Sequence, residues 1–150
     1  QYRRASSGAR LRAGRVALIV DTGPLVALLD ASDPDHPRCE ALLQQVTEPR
    51  VVPVCVLVEV EYMLRPWPDA SPALLEEFDG GGLELLDLPL RWLFRAGELV
   101  KRYRDLPLGL VDATVIAATE MLGESKVATL DHRHFSVVRP AHTDALAILP

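Results

Sequence analysis

From residue 16 onward, short continuous apolar runs alternate with stretches whose apolar residues recur every three or four positions. Val16 to Val20 (VALIV) is apolar throughout, the pattern of a strand buried on both faces. Asp21-Thr22-Gly23-Pro24 follows. Thr22 suits a helix cap and Pro24 an early helical position, so Leu25 to Leu29 begins a helix. Asp33-Pro34 marks a second helix start, with Cys39, Leu42, Leu43 and Val46 as its apolar stripe. Arg50 to Val54 predicts a strand. Val56 to Leu64 predicts a helix with Val56, Val60, Met63 and Leu64 inward, ended by Pro66 and Pro68.

The alternation continues. Pro72 to Phe78 reads as a short helix stopped by Gly80-Gly81-Gly82, and Leu83 to Leu88 as a strand. Leu90 to Tyr103 is amphipathic. Leu93, Phe94, Ala96, Leu99, Val100 and Tyr103 are expected inward, with Arg91, Arg95, Glu98, Lys101, Arg102 and Arg104 outward. Leu106 to Leu110 is a loop, and Val111 to Leu122 a helix closed by Gly123. Lys126 to Leu130 predicts a strand, Asp131 to Phe135 a tight turn, and Ala145 to Leu149 a last strand. This order predicts an α/β sandwich around a mostly parallel sheet, and 150 residues fit one domain. No apolar run approaches the roughly 18 residues of a membrane span. The longest, Val51 to Val58, contains Pro53 and ends at Glu59.

Charge divides the chain. Residues 1–15 carry Arg3, Arg4, Arg10, Arg12 and Arg15 and no acid. They read as a flexible basic leader or remnant before a domain spanning 16–150. The remainder holds 11 basic and 21 acidic residues, a net charge of −10. Such a body is no general polyanion binder. Cys39 and Cys55 sit among apolar residues without metal-ligand spacing, as buried thiols of a reducing cytoplasm would.

In an open parallel sheet, ligands gather at the carboxyl ends of strands. Asp21 directly follows VALIV and Asp131 directly follows KVATL. Glu59 interrupts VCVLVEVEYML, and Asp112 opens the helix DATVIAATEML. Each has a plain rival role. Asp21 and Asp112 could cap helices, Asp131 could belong to a turn, and Glu59 could pair with an arginine. Together the four favour a site. Clustered carboxylates resist ionising, and a hard divalent cation with oxygen ligands, Mg²⁺ or Mn²⁺, relieves them. Such an ion can activate water and orient phosphate. The histidines and cysteines show no zinc spacing.

The same residues resemble a known family. Asp21-Thr22-Gly23-Pro24-Leu25 after a first strand is similar to the opening of PIN domains, in particular the VapC toxins of bacterial VapBC toxin–antitoxin pairs. Three further blocks, in order, carry the other acids: Val58 to Leu64, Leu108 to Ala113, and Ala128 to Phe135. Val138-Arg139-Pro140 also fits. The resemblance implies a three-layer α/β/α sandwich on a five-stranded sheet in the order 3-2-1-4-5. It implies that Asp21, Glu59, Asp112 and Asp131 bind Mg²⁺ or Mn²⁺, supported by Thr22 and Thr129. The implied reaction is hydrolysis of an RNA phosphodiester, in transfer or ribosomal RNA, leaving 5′-phosphate and 3′-hydroxyl ends. The implied partners are a VapB antitoxin, whose C-terminal segment blocks the site, and a second copy of the chain in a homodimer. With antitoxin, a heterotetramer or larger assembly is expected.

Lys101, Arg102 and Arg104 precede the Asp112 helix and are candidates for an RNA-facing rim; Arg133 and His134, beside Asp131, are weighed between phosphate contact and plain surface charge. Glu61 is read as surface, Asp30, Asp33 and Asp35 as a polar turn, and Trp67 and Trp92 as core or interface. Two other functions compete. One is a PIN-like module that binds RNA or protein without cleaving, against which all four acids are present. The other is a phosphotransfer enzyme with Asp21 as nucleophile. A dehalogenase-type phosphatase wants a second Asp two positions on, where Gly23 stands. There is no GxGxxG or Walker A sequence. A chain lacking residues 1–15 is expected to fold and melt like the full chain; loss of its melting transition would contradict the leader reading.

Overall fold

The computed structural model describes residues 16–150, so the basic leader read at 1–15 lies outside the described residues. Twelve elements follow along the chain: β1 (Leu18–Val20), α1 (Thr22–Leu29), α2 (His36–Gln45), β2 (Arg50–Pro53), α3 (Val54–Leu64) and α4 (Ala70–Asp79), then β3 (Glu84–Leu86), α5 (Leu90–Arg102), α6 (Leu110–Leu122), β4 (Lys126–Ala128), α7 (His132–Val137) and β5 (Ala147–Leu149). The strands form one sheet in the order β3-β2-β1-β4-β5, and every pairing is parallel. Leu18, Ile19 and Val20 of the central strand are all 0% exposed. A strand with no exposed residue is covered on both faces, which is why its sequence shows no alternation.

The chain runs from β1 to β2 and β3 on one side, then returns to lay β4 and β5 on the other. The direction of winding therefore switches between β1 and β4. Their register pairs Ile19 with Val127 and Val20 with Ala128. The residues leaving the two strands, Asp21 and Thr129, emerge side by side at the carboxyl edge. Gly23 lets the start of α1 lie against β4's exit: a Cβ there would stand 3.2 Å from the Leu130 side chain.

Three expectations need correction. The segment after β4 is the short helix α7, where a tight turn was expected. Asp131 is its N-cap, accepting the His134 N–H, and the buried Phe135 anchors it. On α5, Leu93 and Phe94 are exposed rather than inward, and Arg95 turns in rather than out. The true stripe is Trp92, Ala96, Leu99 and Tyr103, spaced three or four apart, and Leu93 and Phe94 lie beside it. On α3, Val56, Val60 and Leu64 are buried at strict four-residue spacing, leaving Met63 half exposed at its edge. Gly123 closes α6 in the left-handed conformation, φ 71°, as expected. Trp67 is exposed, while Trp92 packs against the core.

Arg95 and Glu120 lock α5 to α6. Arg95 Nε donates to Glu120 Oε2 at 2.8 Å and Nη2 to Oε1 at 3.0 Å, while the Ala141 N–H also reaches Oε1 at 2.9 Å. Only 4% of the Glu120 side chain is exposed. Removing one partner strands the other's charge away from water. Arg95→Met is expected to cost about 2–3 kcal/mol in urea unfolding, and Arg95→Met with Glu120→Gln to recover part of it. A double variant no more stable than the single would show that the arginine contributes packing alone.

Candidate active site

Each candidate acid owes its position to a different element. Asp21 ends β1 and occupies the N-cap position of α1, but its side chain makes no capping bond. It accepts from Thr129 Oγ1 at 2.7 Å. Thr129 Oγ1 in turn accepts the Asp131 N–H at 3.0 Å. Because the hydroxyl has one proton, this backbone donor directs that proton toward Asp21. Asp21 is 4% exposed, and its Oδ1 is buried without a partner. Glu59 sits on α3 at the edge of the Val56-Val60 stripe and accepts from Thr22 Oγ1 at 2.5 Å. Asp112 lies in the first turn of α6, and Asp131 caps α7.

Asp112 and Asp131 come together with a residue assigned no such role from sequence. His134 places a ring nitrogen in a group where one ligand atom from each of the three lies within 4.8 Å of the others. His134 Nδ1 bonds the Asp131 carboxylate and stands 3.7 Å from Asp112 Oδ2. Its Nε2 meets the Leu106 carbonyl at 2.9 Å. The side chain is 17% exposed, so His134 is part of the cluster rather than surface charge. Its signal was the three-residue spacing from Asp131, visible only once that segment is read as helix. Asp21 and Glu59 stand outside this tight group but within range to act on it electrostatically.

The electrostatics show that coupling. Burial pushes Asp21 up to about 6, aided by the nearby charges of Asp112 and Glu59 and opposed by Thr129 and the Thr22 N–H. Burial, then the neighbouring Asp131 charge, raises Asp112. Burial works against Asp131 as well, yet the His134 N–H and ring hold its carboxyl below the ordinary range. The Asp131 bond raises His134. A carbonyl on one ring nitrogen and carboxylates on the other favour the protonated ring. None of the four acids pairs with Lys or Arg among the described residues. The rival of an arginine partner for Glu59 is thereby excluded there, whereas Asp131, weighed as a turn residue, instead caps α7 while keeping its place in the cluster.

The other candidates fall as follows. Lys101, Arg102, Arg104 and Arg133 are all exposed. The bond from His134 to the Leu106 carbonyl ties the segment following Lys101, Arg102 and Arg104 to the carboxylates. Glu61 pairs with Arg65 on the surface, and Asp30 and Asp33 bond within their own turn. A cavity of about 330 Å³ lies elsewhere, lined by Leu25, Leu28, Leu43, Leu74 and Arg50 among others; none of the four acids lines it.

A carboxylate cluster at the winding switch of a five-stranded parallel α/β sandwich defines the PIN class of domain. No family model matches the chain. The chain is 31% identical over 135 residues to the ribonuclease VapC26 of Mycobacterium tuberculosis, covering 89% of this chain and all of that protein. Among solved structures, Mycobacterium tuberculosis VapC20, a sarcin-ricin loop cleaving toxin, superposes with a TM-score of 0.69. It is 21% identical, with 73% of this chain and 86% of that one covered. VapBC2 from Rickettsia felis, bound to a promoter DNA fragment, superposes at 0.64 with 16% identity, over 90% of this chain and all of that one. The chain belongs to the VapC family of PIN-domain ribonucleases.

Asp21's burial has a measurable consequence. Between the ordinary carboxyl value of 3.8 and about 6, the folded chain keeps a proton the unfolded chain has lost. The stability this group contributes is therefore present at low pH and falls as pH rises through that window. At pH 8 without divalent ions, Asp21→Asn is expected to stabilise the fold by about 2 kcal/mol, with the gain shrinking toward pH 4. A destabilised variant at pH 8 would show that the charged carboxylate is well solvated in place.

Proposed function

We propose that this chain is a metal-dependent endoribonuclease, the toxin of a toxin–antitoxin pair, and that Asp21, Glu59, Asp112 and Asp131 form its catalytic metal centre. The observation that carries the reading is the buried, unpartnered Oδ1 of Asp21, within reach of the charges of Glu59 and Asp112. An orphan carboxylate oxygen is costly unless something cationic meets it. The donor set is mostly carboxylate oxygen, which suits Mg²⁺ or Mn²⁺. When bound, such an ion polarises a water for attack on phosphorus and neutralises charge on the phosphodiester.

The protein's own residues hold the acids in place. Thr129 occupies Asp21 Oδ2 and leaves Oδ1 free. Thr22 orients Glu59 from the start of α1. The N-cap bond of α7 fixes Asp131. Exposed Lys101, Arg102, Arg104 and Arg133 supply the positive rim along which RNA phosphates approach. Transfer or ribosomal RNA is the proposed substrate class, supported by the loop-cleaving activity of VapC20. A VapB-like antitoxin is the proposed partner, supported by the VapBC2 structure, and a homodimer of this chain is proposed from the family resemblance alone. No helix among the described residues is long and apolar enough to cross a membrane, and the proposed setting is the cytoplasm.

The test is cleavage of transfer RNA and ribosomal RNA fragments by the purified chain with Mn²⁺ or Mg²⁺. Asp112→Asn is expected to reduce cleavage by about 10²-fold or more while keeping the wild-type circular dichroism spectrum, and a chelator should stop the wild type. Full activity in the variant removes Asp112 from the site. No cleavage by the wild type of any RNA offered, with either ion, favours the non-catalytic binding module.

A further inference from the structure

His134 bears the mark of a metal ligand. A ligating imidazole needs one nitrogen lone pair aimed at the ion, and the other N–H is usually donated to a carbonyl or carboxylate that fixes the tautomer. His134 Nε2 donates to the Leu106 carbonyl at 2.9 Å. Its other nitrogen, Nδ1, faces Asp112 Oδ2 at 3.7 Å and bonds the Asp131 carboxylate. Six-coordinate ligation at about 2.1 Å sets neighbouring ligand atoms about 3 Å apart and opposite ones about 4 Å. The 3.7 Å separation falls between these. The ring is also held in place: the side chain is 17% exposed, and the backbone N–H of His134 donates to the Asp131 carboxylate that caps α7.

We propose that His134 Nδ1 is a ligand of the catalytic cation, joining Asp112 and Asp131, and that it makes this centre prefer a divalent transition ion such as Mn²⁺ to Mg²⁺. The inference rests on the metal-centre reading above and adds a nitrogen to an otherwise all-oxygen set. Magnesium takes oxygen ligands and sheds water reluctantly, so an imidazole gains it little. First-row transition ions accept imidazole readily. Bound there, an ion would stand where the Nδ1 proton does, with that proton released to solvent, and Asp131 would give up its hydrogen bond to the ring for a share of the same ion.

The experiment uses the full chain with Mn²⁺ and Mg²⁺ as probes. Pulsed electron paramagnetic resonance of Mn²⁺ bound to the wild type is expected to show coupling to an imidazole nitrogen, absent in His134→Ala. Calorimetry is expected to show Mn²⁺ affinity falling at least 10-fold in His134→Ala while Mg²⁺ affinity changes less than 3-fold. Bound Mn²⁺ without nitrogen coupling in the wild type overturns the proposal without need of a variant and leaves the carboxylate centre standing. Equal losses for both ions, or unchanged or tighter Mn²⁺ binding, also overturn it and leave His134 as a counter-charge to Asp131. Absence of any divalent binding, in the wild type as in Asp21→Asn, overturns the metal centre itself and this ligand with it.

Discussion

The site depends on the register of β1 against β4. Pairing Val20 with Ala128 sets Asp21 beside Thr129 at the sheet's carboxyl edge, where one hydroxyl links two strand exits. That hydroxyl takes its own hydrogen bond from the Asp131 backbone and so is committed to giving its proton to Asp21. A slip of one residue would turn every side chain of β4 to the opposite face and would break this link. Since Leu18, Ile19 and Val20 are wholly buried, the core enforces the register, and the carboxylate geometry follows from apolar packing.

The donors around the acids are nearly all neutral. Thr22, Thr129 and the His134 backbone N–H hold Glu59, Asp21 and Asp131. The arginines that form ion pairs among the described residues do so elsewhere: Arg95 with Glu120 and Glu98, Arg65 with Glu61, Arg38 with Asp35. An arginine beside Asp21 would satisfy the acid permanently and block the ion. A threonine orients the acid while leaving its charge unmet. The cost appears as the raised Asp21 and Asp112 carboxyls, a local destabilisation carried by the rest of the fold. His134 is the exception, a titratable ring whose protonated form Asp131 favours.

Much of this was legible in the sequence, for identifiable reasons. The parallel sheet showed itself because strands buried on both faces read as unbroken apolar runs, as in VALIV. Asp21, Glu59 and Asp112 stood out because acids among such residues lack a solvated explanation. What stayed hidden depended on contacts between distant segments. The inward turn of Arg95 needs Glu120, which is 25 residues away. His134 needs the Leu106 carbonyl, 28 residues away. No local pattern encodes either partner. The α7 helix escaped notice because six residues around one buried aromatic give too short a stretch for periodicity, and its only local sign was the Asp131 cap.

The charge of the body completes the argument. A net of −10 over residues 16–150 repels RNA, and a Debye length of about 8–10 Å confines that repulsion to close approach at physiological salt. The acids gathered at one edge oppose the approach of a phosphate there. A divalent ion of the proposed centre would reverse that locally, cancelling two of the charges and offering the phosphate a cation at an edge to which the His134–Leu106 bond ties the segment following Lys101, Arg102 and Arg104. On the reading proposed above, binding of the ion precedes productive binding of RNA, because the residues proposed for the chemistry are also those whose charge opposes the substrate.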